Sequence, residues 1–330
     1  MRVFVTGGTG FIGEHLIRKL LDRGYEVNAI YRSESKLKEA NVFHNNLRWF
    51  KGDITDFASL ENSIIGCSYI FHTAAYAMAR EKEKNDFYRY NVDGTKNILD
   101  LALKYNVKKV VVTSTAGVFG PSIEREINED SVPSVPYFTG YEHSKAECEK
   151  LIKEYVNKGL NIVIVNPTRV FGYGRLSQSN STTIMIKKFI EGKWHFIPGN
   201  GKSVGNYSYV NDVVLGHILA MEKGVSGEKY ILGGENLSFN EFFEKLKKVS
   251  GKNYFLIKIP FGLMLMVAYL VVLLHKLNKK YEPPFTPAKI RKFNNNWQTS
   301  LNKAIQELGY EVTPFEKALK ETIDLFTLYK

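Results

Sequence analysis

Tyr141 and Lys145 are the two side chains of this sequence that are best suited to proton transfer, because they lie one turn apart on a predicted helix. Residues i and i+4 of a helix share a face, so the phenol and the ammonium would point the same way. Alone, such a pair is usually part of a solvated helix surface. Its meaning depends on Thr115, which follows a predicted strand, and on a glycine-rich turn near the N-terminus.

That glycine-rich turn reads Val-Thr-Gly-Gly-Thr-Gly-Phe-Ile-Gly over residues 5–13. It follows a predicted strand and begins a predicted helix. In this context glycines let the backbone approach a pyrophosphate, whose charge rests on the helix N-terminus. A purely structural glycine turn is the alternative. We predict a dinucleotide site here, and the contacts expected in this turn are made by Gly7, Gly10, Phe11, Ile12 and Gly13.

The end of the second predicted strand bears on which dinucleotide fits. An NAD site normally places an acidic residue there to hold the ribose 2′-hydroxyl, whereas this strand ends in Ile-Tyr-Arg-Ser over residues 30–33. Arg32 can bind a 2′-phosphate through two parallel hydrogen bonds, with Ser33, Lys36 or Lys38 as additional donors. The sequence therefore favours NADP(H) over NAD(H).

Three further strand ends supply expected cofactor contacts. Asp53 and Ile54 follow the third strand and suit an adenine contact, although a simple turn is the alternative for Asp53. Ala74 and Ala75 follow the fourth strand and are small enough for a cofactor to lie closely against them. Thr113 lies close to the end of the fifth strand, at the carboxyl edge where ligands bind in sheets of this kind.

Short β-branched runs alternate with helical periods through the first half of the chain, which predicts βαβ units around a parallel sheet. The six predicted strands are Val3–Thr6, Glu26–Tyr31, Leu47–Lys51, Tyr69–His72, Lys109–Ser114 and Asn161–Asn166. The predicted helices between them are Ile12–Arg23, Phe57–Ile65, Asn85–Tyr105 and Tyr141–Lys158. The fold class is thus α/β, a doubly wound parallel sheet of the Rossmann type with a smaller, mostly helical C-terminal substrate domain. We expect a dinucleotide-binding domain over residues 1–172 and a substrate-binding region over residues 173–330, with some return of the chain to the first domain.

The composition and charge of the chain limit the kinds of binding partner that we expect. A formal charge of +11 suggests an anionic partner, but the basic residues are scattered, which argues against a nucleic acid. Cys67 and Cys148 do not have the spacing of metal ligands, so no metal is expected. Two cysteines also cannot form a disulfide framework, so we expect a cytoplasmic setting. The first strand begins at once, and we expect no signal peptide.

Residues 259–274 form an apolar segment without a charged residue, followed by His275, Lys276, Lys279 and Lys280. A run of this length fits a buried helix or an interfacial one better than a membrane-spanning one. The basic flank favours an anionic membrane surface, so residues 259–280 are a candidate peripheral membrane contact, at the inner face of a membrane.

Together these motifs resemble an extended short-chain dehydrogenase/reductase. The resemblance covers the glycine turn, Asn-Val-Asp-Gly-Thr at 91–95, the Ser/Thr strand end, Tyr-x-x-x-Lys and Asn-Pro-Thr-Arg-Val-Phe-Gly at 166–172. It implies that Tyr141 is the general acid/base and that Lys145 lowers its pKa and binds the nicotinamide ribose. Bringing a phenol from pKa 10 to about 7 takes roughly 4 kcal/mol. It further implies that Thr115, or its rival Ser114, holds the substrate oxygen.

The same resemblance implies cofactor contacts at Pro167 and Val170, a small-molecule substrate, and a homodimer formed through residues 85–105 and 141–158. Within the family, dehydratases carry acidic residues after the catalytic threonine, whereas Ala116 and Gly117 follow here. Nucleotide-sugar enzymes usually place an arginine on the substrate diphosphate just before a Tyr-x-x-Val-x-Asp segment, and residues 204–206 contain none. The segments at 209–220 and 280–287 are similar to the 3-beta-hydroxysteroid dehydrogenase branch, and that at 230–236 is similar to dihydroflavonol reductase-like proteins.

These observations predict an NADP(H)-dependent oxidoreductase that interconverts an alcohol and a ketone or aldehyde on a fairly apolar molecule, such as a sterol, a flavonoid or a lipid. The first alternative is a sugar or nucleotide-sugar epimerase with tightly bound NAD. The second is a regulator that binds a dinucleotide without catalysis.

Overall fold

The computed structural model describes residues 1–77, 85–176, 180–277 and 286–328, apart from the side chains of 275–277. Its centre is a seven-stranded parallel sheet in the order β10-β6-β5-β4-β1-β2-β3. The strands of this sheet are β1 (Arg2–Thr6), β2 (Glu26–Tyr31), β3 (Leu47–Lys51), β4 (Tyr69–His72), β5 (Lys109–Thr113), β6 (Ile162–Pro167) and β10 (Lys229–Leu232). The predicted doubly wound parallel sheet is confirmed.

Buried apolar strands with helices on both faces account for this sheet. Val3 and Val5 pack into one core, and Phe4 between them packs into the core on the other face. Helices α1 (Phe11–Asp22) and α8 (Val210–Lys223) contribute to the first core, and α3 (Phe57–Ile64), α5 (Gly94–Lys104) and α6 (Gly140–Asn157) to the second. The remaining helices are α2 (Glu34–Ala40), α4 (Asp86–Tyr88), α7 (Ser181–Ile190), α9 (Phe239–Ser250), α10 (Phe261–Leu277), α11 (Pro287–Phe293) and α12 (Phe315–Leu328).

One predicted helix differs from expectation. The segment predicted as a single helix over Asn85–Tyr105 is α4, then a π-helical turn at Arg89–Asp93, then α5. A π turn contains one residue more than an α turn. Hydrophobic periodicity cannot reveal such an insertion, because the apolar positions on either side keep their helical spacing.

The second half of the chain adds two small sheets beside the carboxyl edge of the large one. One has the order β11-β9-β7 and the other pairs β12 with β8. Their strands are β7 (Arg169–Phe171), β8 (Phe196–Pro198), β9 (Val204–Tyr209), β11 (Glu235–Ser238) and β12 (Ile257–Ile259). Strand β10 is part of the large sheet, and helix α8 packs into one of its cores. The division into residues 1–172 and 173–330 stays a prediction.

Helix α10 contains most of the apolar segment, and a buried helix is not what the structure shows. Ala268 is buried, but one face of the helix is about half exposed. That face consists of Leu263, Met266, Val267, Leu270, Leu273 and Leu274. Among the helices of the described ranges, none has the length and hydrophobicity needed to cross a membrane. The expected basic flank at Lys279 and Lys280 lies outside the described residues.

Candidate active site

A cleft of about 780 Å³ lies at the carboxyl edge of the large sheet and reaches the second half of the chain. Every predicted cofactor and catalytic residue except Lys145 lines this cleft. They are Gly7, Gly10, Phe11, Ile12, Gly13, Arg32, Asp53, Ile54, Ala74, Ala75, Thr113, Thr115, Tyr141, Pro167 and Val170. Residues distant in sequence thus meet at one edge because parallel strands end there.

The glycine-rich turn is closed tightly around Gly7 and Gly13. Gly7 has a φ of +69°, and a Cβ there would lie 2.6 Å from the backbone nitrogen of Ala74. A Cβ at Gly13 would overlap the carbonyl oxygen of Gly7. Gly10 caps α1 without a side-chain hydrogen bond, so the first N–H groups of this helix are left for another acceptor. The cradle fits a pyrophosphate.

Arg32 and Asp53 lie together at the far end of the cleft. Arg32 Nη1 lies 3.6 Å from Asp53 Oδ2, and the guanidinium lies 5.1 Å from the ring centre of Tyr90. The Oδ1 atom of Asp53 accepts hydrogen bonds from the backbone N–H and the hydroxyl of Thr55, each at 2.9 Å. Asp53 therefore stabilises a turn and also lines the cleft, so the two alternatives for this residue are compatible.

Asn91, in the π-helical turn, fixes the loop that follows β4. Its Oδ1 accepts the backbone N–H of Tyr76 at 2.7 Å, and its Nδ2 donates to the Tyr76 carbonyl at 3.2 Å and to Ser144 Oγ at 2.8 Å. This loop includes Ala74 and Ala75. The sequence motif contained Asn91, but the π turn that aims its side chain could not be read from the sequence.

The N-terminus of α6 brings Tyr141 to the cleft. Thr139 and Glu142 form a capping box, in which each side chain hydrogen-bonds the other's backbone. The Glu142 carboxylate also forms an ion pair with Lys292, which ties α11 to this end of α6. Tyr141 is consequently held where the cleft meets the second half of the chain.

The electrostatics of Tyr141 differ from the expectation that Lys145 lowers its pKa. Burial of the phenol, followed by the nearby Glu142 carboxylate and the Cys148 thiol, raises the pKa of Tyr141 well above its usual value. Lys145 is 1% exposed, and its Nζ has no hydrogen-bond partner within the described chain. Burial also lowers the pKa of Lys145. A buried ammonium without a partner is costly and fits hydroxyls supplied by a bound ribose.

Ser114 and Thr115, the two candidates for the substrate-oxygen contact, have different surroundings. The Ser114 hydroxyl donates to the buried Glu149 carboxylate at 2.6 Å. Glu149 also binds Asn166 Nδ2 at 2.8 Å and Lys229 Nζ at 2.5 Å. Among the residues that the structure describes, the Thr115 Oγ1 atom accepts only the weak 3.2 Å hydrogen bond from the Gly117 backbone, so its proton is free to be donated. This difference favours Thr115.

The substrate end of the cleft combines apolar walls with positive charge. Its apolar lining includes Ile184, Met185, Trp194, Phe196, Met264 and Phe293. The cationic side chains here are Arg169, Lys188, Lys289 and Lys292. Sequence reasoning missed Arg169 as a site residue, although it lies inside the motif at 166–172; its position between two expected cofactor contacts was the available signal.

The model described as "NAD dependent epimerase/dehydratase family" matches residues 3–233. A "Putative dihydroflavonol 4-reductase" of Synechocystis is 31% identical, over 98% of this chain and 94% of the relative. An Arabidopsis thaliana "3beta-hydroxysteroid-dehydrogenase/decarboxylase isoform 1" is 29% identical, over 99% and 80%. The crystal structure of the Thermotoga maritima UDP-glucose 4-epimerase with UDP-glucose has a TM-score of 0.81 and 26% identity, covering 99% of both chains.

Proposed function

Because the chain belongs to the NAD dependent epimerase/dehydratase family and is an oxidoreductase of that family, we propose that it uses NADP(H) to interconvert an alcohol and a ketone or aldehyde on a fairly apolar, sterol-like molecule. One observation carries this proposal. Tyr141 and Thr115 line the same cleft as a wall of apolar side chains. Relatives named as a hydroxysteroid dehydrogenase and a dihydroflavonol reductase support a substrate of this kind.

In this proposal each polar residue has one role. Thr115 donates a hydrogen bond to the substrate oxygen, and Tyr141 donates its proton to that oxygen during reduction. A phenol has a pKa of about 10 and burial raises that of Tyr141 further, so its hydroxyl is protonated at neutral pH, as a proton donor must be. Lys145 would bind ribose hydroxyls through its buried Nζ. The dinucleotide, when bound, supplies or accepts the hydride.

The preference for NADP(H) rests on Arg32. Its side chain is 55% exposed at the end of the cleft, and Lys36 lines the cleft nearby. A 2′-phosphate would compete with the Asp53 carboxylate for the guanidinium, and a dianion at hydrogen-bond distance is the stronger partner. NAD(H) is the weaker candidate.

The test is a panel of oxo and hydroxy compounds, including sterols, flavonoid-like ketones, aldehydes and sugar nucleotides, assayed for NADPH oxidation or NADP reduction. We expect turnover of an apolar member of the panel. Tyr141→Phe should abolish hydride transfer while NADPH binding is retained, and Tyr88→Phe, an exposed tyrosine outside the cleft lining, is the matched control. Substantial turnover by Tyr141→Phe would remove that residue from the mechanism.

A sugar epimerase is the second candidate function, favoured by the likeness to the Thermotoga maritima epimerase over 99% of the chain. Such an enzyme oxidises its substrate transiently and returns the hydride. Protein that is purified with stoichiometric NAD and shows no net NADPH oxidation on the panel would favour this candidate over the first.

We also propose that α10 rests on an anionic membrane surface. The segment just before α10 also contains the exposed apolar residues Phe255 and Ile257, which are 81% and 56% exposed. Lys252 and Lys258, which precede α10 in the sequence, are exposed, and so is Arg291, which donates a hydrogen bond to Tyr269 of α10. Exposed apolar side chains together with exposed cations in neighbouring segments match the acyl and headgroup regions of an anionic leaflet. A homodimer and a cytoplasmic location remain predictions.

Vesicle sedimentation tests the membrane contact. The wild-type protein should sediment with vesicles rich in phosphatidylserine and much less with neutral vesicles. Leu270→Glu should weaken this binding, because it places a charge in the centre of the apolar face, whereas Val225→Glu changes an exposed apolar residue elsewhere. Absence of vesicle binding by the wild-type protein would refute the proposal.

A further inference from the structure

We propose that Arg169 binds an anionic group of the substrate, a carboxylate or a phosphate, so that the substrate is an apolar molecule with one acidic pole. The inference rests on the proposed function, since it concerns the substrate end of the same cleft.

The surroundings of Arg169 are aromatic rather than acidic. Its guanidinium carbon lies 5.5, 5.6 and 5.9 Å from the ring centres of Tyr207, Phe239 and Phe293. Its Nη1 donates to the Tyr207 hydroxyl at 3.2 Å. No carboxylate forms an ion pair with this guanidinium anywhere in the described ranges. A guanidinium has five N–H donors, so most of its capacity is left for a ligand.

Two other cations at the cleft have a carboxylate beside them. Arg32 lies beside Asp53, and Lys292 is paired with Glu142. Lys289 lies one helical turn before Phe293 in α11, and it adds positive charge on the same side of the cleft as Arg169. Positive charge without a matching carboxylate, beside apolar walls that weaken screening, favours an anion at this end of the cleft.

The walls define the rest of the ligand. Many of the side chains that line the cleft from the second half of the chain are apolar or aromatic, among them Trp194, Phe196 and Met264. They suit a hydrophobic body, for which a polyhydroxylated sugar would be a poor match. An anionic group at Arg169 and an apolar body along these walls would leave the reacting oxygen for Tyr141 and Thr115.

Gly205 in β9 fixes the position of the guanidinium. A Cβ at Gly205 would lie 2.6 Å from Arg169 Cζ, so the guanidinium lies flat against a strand that has no side chain at this point. Its φ is not in the left-handed region, so alanine is compatible with the backbone. Gly205→Ala would therefore displace the cation without changing its charge.

The experiment compares two probes that differ only in charge, 3β-hydroxy-5-cholenoic acid and its methyl ester. Dissociation constants are measured with NADP-saturated protein by quenching of tryptophan fluorescence. A charge-assisted pair in a partly desolvated site is expected to make the acid bind roughly 10-fold or more tightly than the ester. Arg169→Gln should bring the ratio near 1 by weakening only the acid, and Gly205→Ala should reduce it partially. Arg23→Gln, which alters an exposed arginine paired with Glu222, should leave the ratio unchanged.

Three results would overturn the inference. The first is equal affinity of the wild-type protein for acid and ester. The second is an unchanged ratio in both Arg169→Gln and Gly205→Ala. The third is a loss of NADPH affinity in Arg169→Gln that is as large as its loss of affinity for the acid, which would assign the guanidinium to the cofactor. Because binding needs no turnover, an acid preference that Arg169→Gln removes would support the inference even if no compound accepted a hydride and the proposed function failed.

Discussion

Replacing Lys145 with methionine should stabilise the cofactor-free protein. The Lys145 Nζ is buried and without a hydrogen-bond partner in the described structure, and a buried polar group left unsatisfied costs about 1–3 kcal/mol. Methionine keeps a long unbranched chain and removes the charge. The free energy of unfolding should therefore rise by about 1–3 kcal/mol. With roughly 2.1 cal/mol/K of unfolding entropy for each of 330 residues, Tm should rise by about 1.5–4 °C.

The gain should depend on pH with a defined sign. Burial lowers the pKa of Lys145 in the folded protein below its usual 10.5. Between the folded value and 10.5, the unfolded chain binds more protons, so the stability of the wild-type protein rises with pH. Methionine does not titrate. The advantage of Lys145→Met should consequently shrink as the pH is raised from the lowered pKa of folded Lys145 towards 10.5.

The assay is urea unfolding, followed by fluorescence, with and without NADPH. Cofactor should stabilise the wild-type protein more than the variant, because a 10-fold loss of affinity removes about 1.4 kcal/mol of ligand stabilisation. Lys150→Met is the matched control: Lys150 lies on the same helix, is 72% exposed and pairs with Glu147. It should change stability by less than about 0.5 kcal/mol. A Lys145→Met protein that is less stable than wild type without cofactor, or equally stabilised by NADPH, would refute the reasoning.

Three other predictions follow from the site. Thr115→Val should lower kcat about 100-fold or more, whereas Ser114→Ala, which removes one donor to Glu149, should cost about 1 kcal/mol of stability and leave most activity. Steady-state kinetics and urea unfolding distinguish the two effects. The reverse pattern would make Ser114 the donor to the substrate oxygen. Arg32→Asp should shift the kcat/KM ratio of NADPH to NADH towards NADH by about 10-fold or more; an unchanged NADPH affinity would contradict the assignment. Gly13→Ala should abolish dinucleotide binding measured by calorimetry, since its Cβ overlaps Gly7, and normal binding would show that the turn adjusts.

The fold class could be predicted because its signals are local. Buried strands such as Val110–Val112 are continuous apolar runs, and the glycine turn fixes where β1 ends and α1 begins. Strand β10 was not identified from the sequence, because a four-residue run at an edge of the sheet resembles many loops. Its place beside β6 depends on contacts between residues far apart in the chain.

The site was predictable in its residues and less so in its electrostatics. Spacing placed Tyr141 and Lys145 on one helix, but the burial that raises the pKa of the phenol depends on tertiary packing. Arg169 was missed for a similar reason. Its importance comes from the aromatic rings of β9, α9 and α11 around it and from the lack of a carboxylate partner in the described residues, and none of these is visible in the motif itself.

Helix α10 lies between the cleft and the outer surface of the protein, which are therefore separated by the width of one helix, roughly 10 Å. Met264 lines the cleft on its inner side, while Leu270 and Leu273 face outward. If the outer face rests on a bilayer, a poorly soluble substrate would reach the cleft from the lipid phase. The rate of substrate turnover by the membrane-bound protein would then depend on the mole fraction of substrate in the membrane. Adding buffer at constant lipid composition would not change this rate.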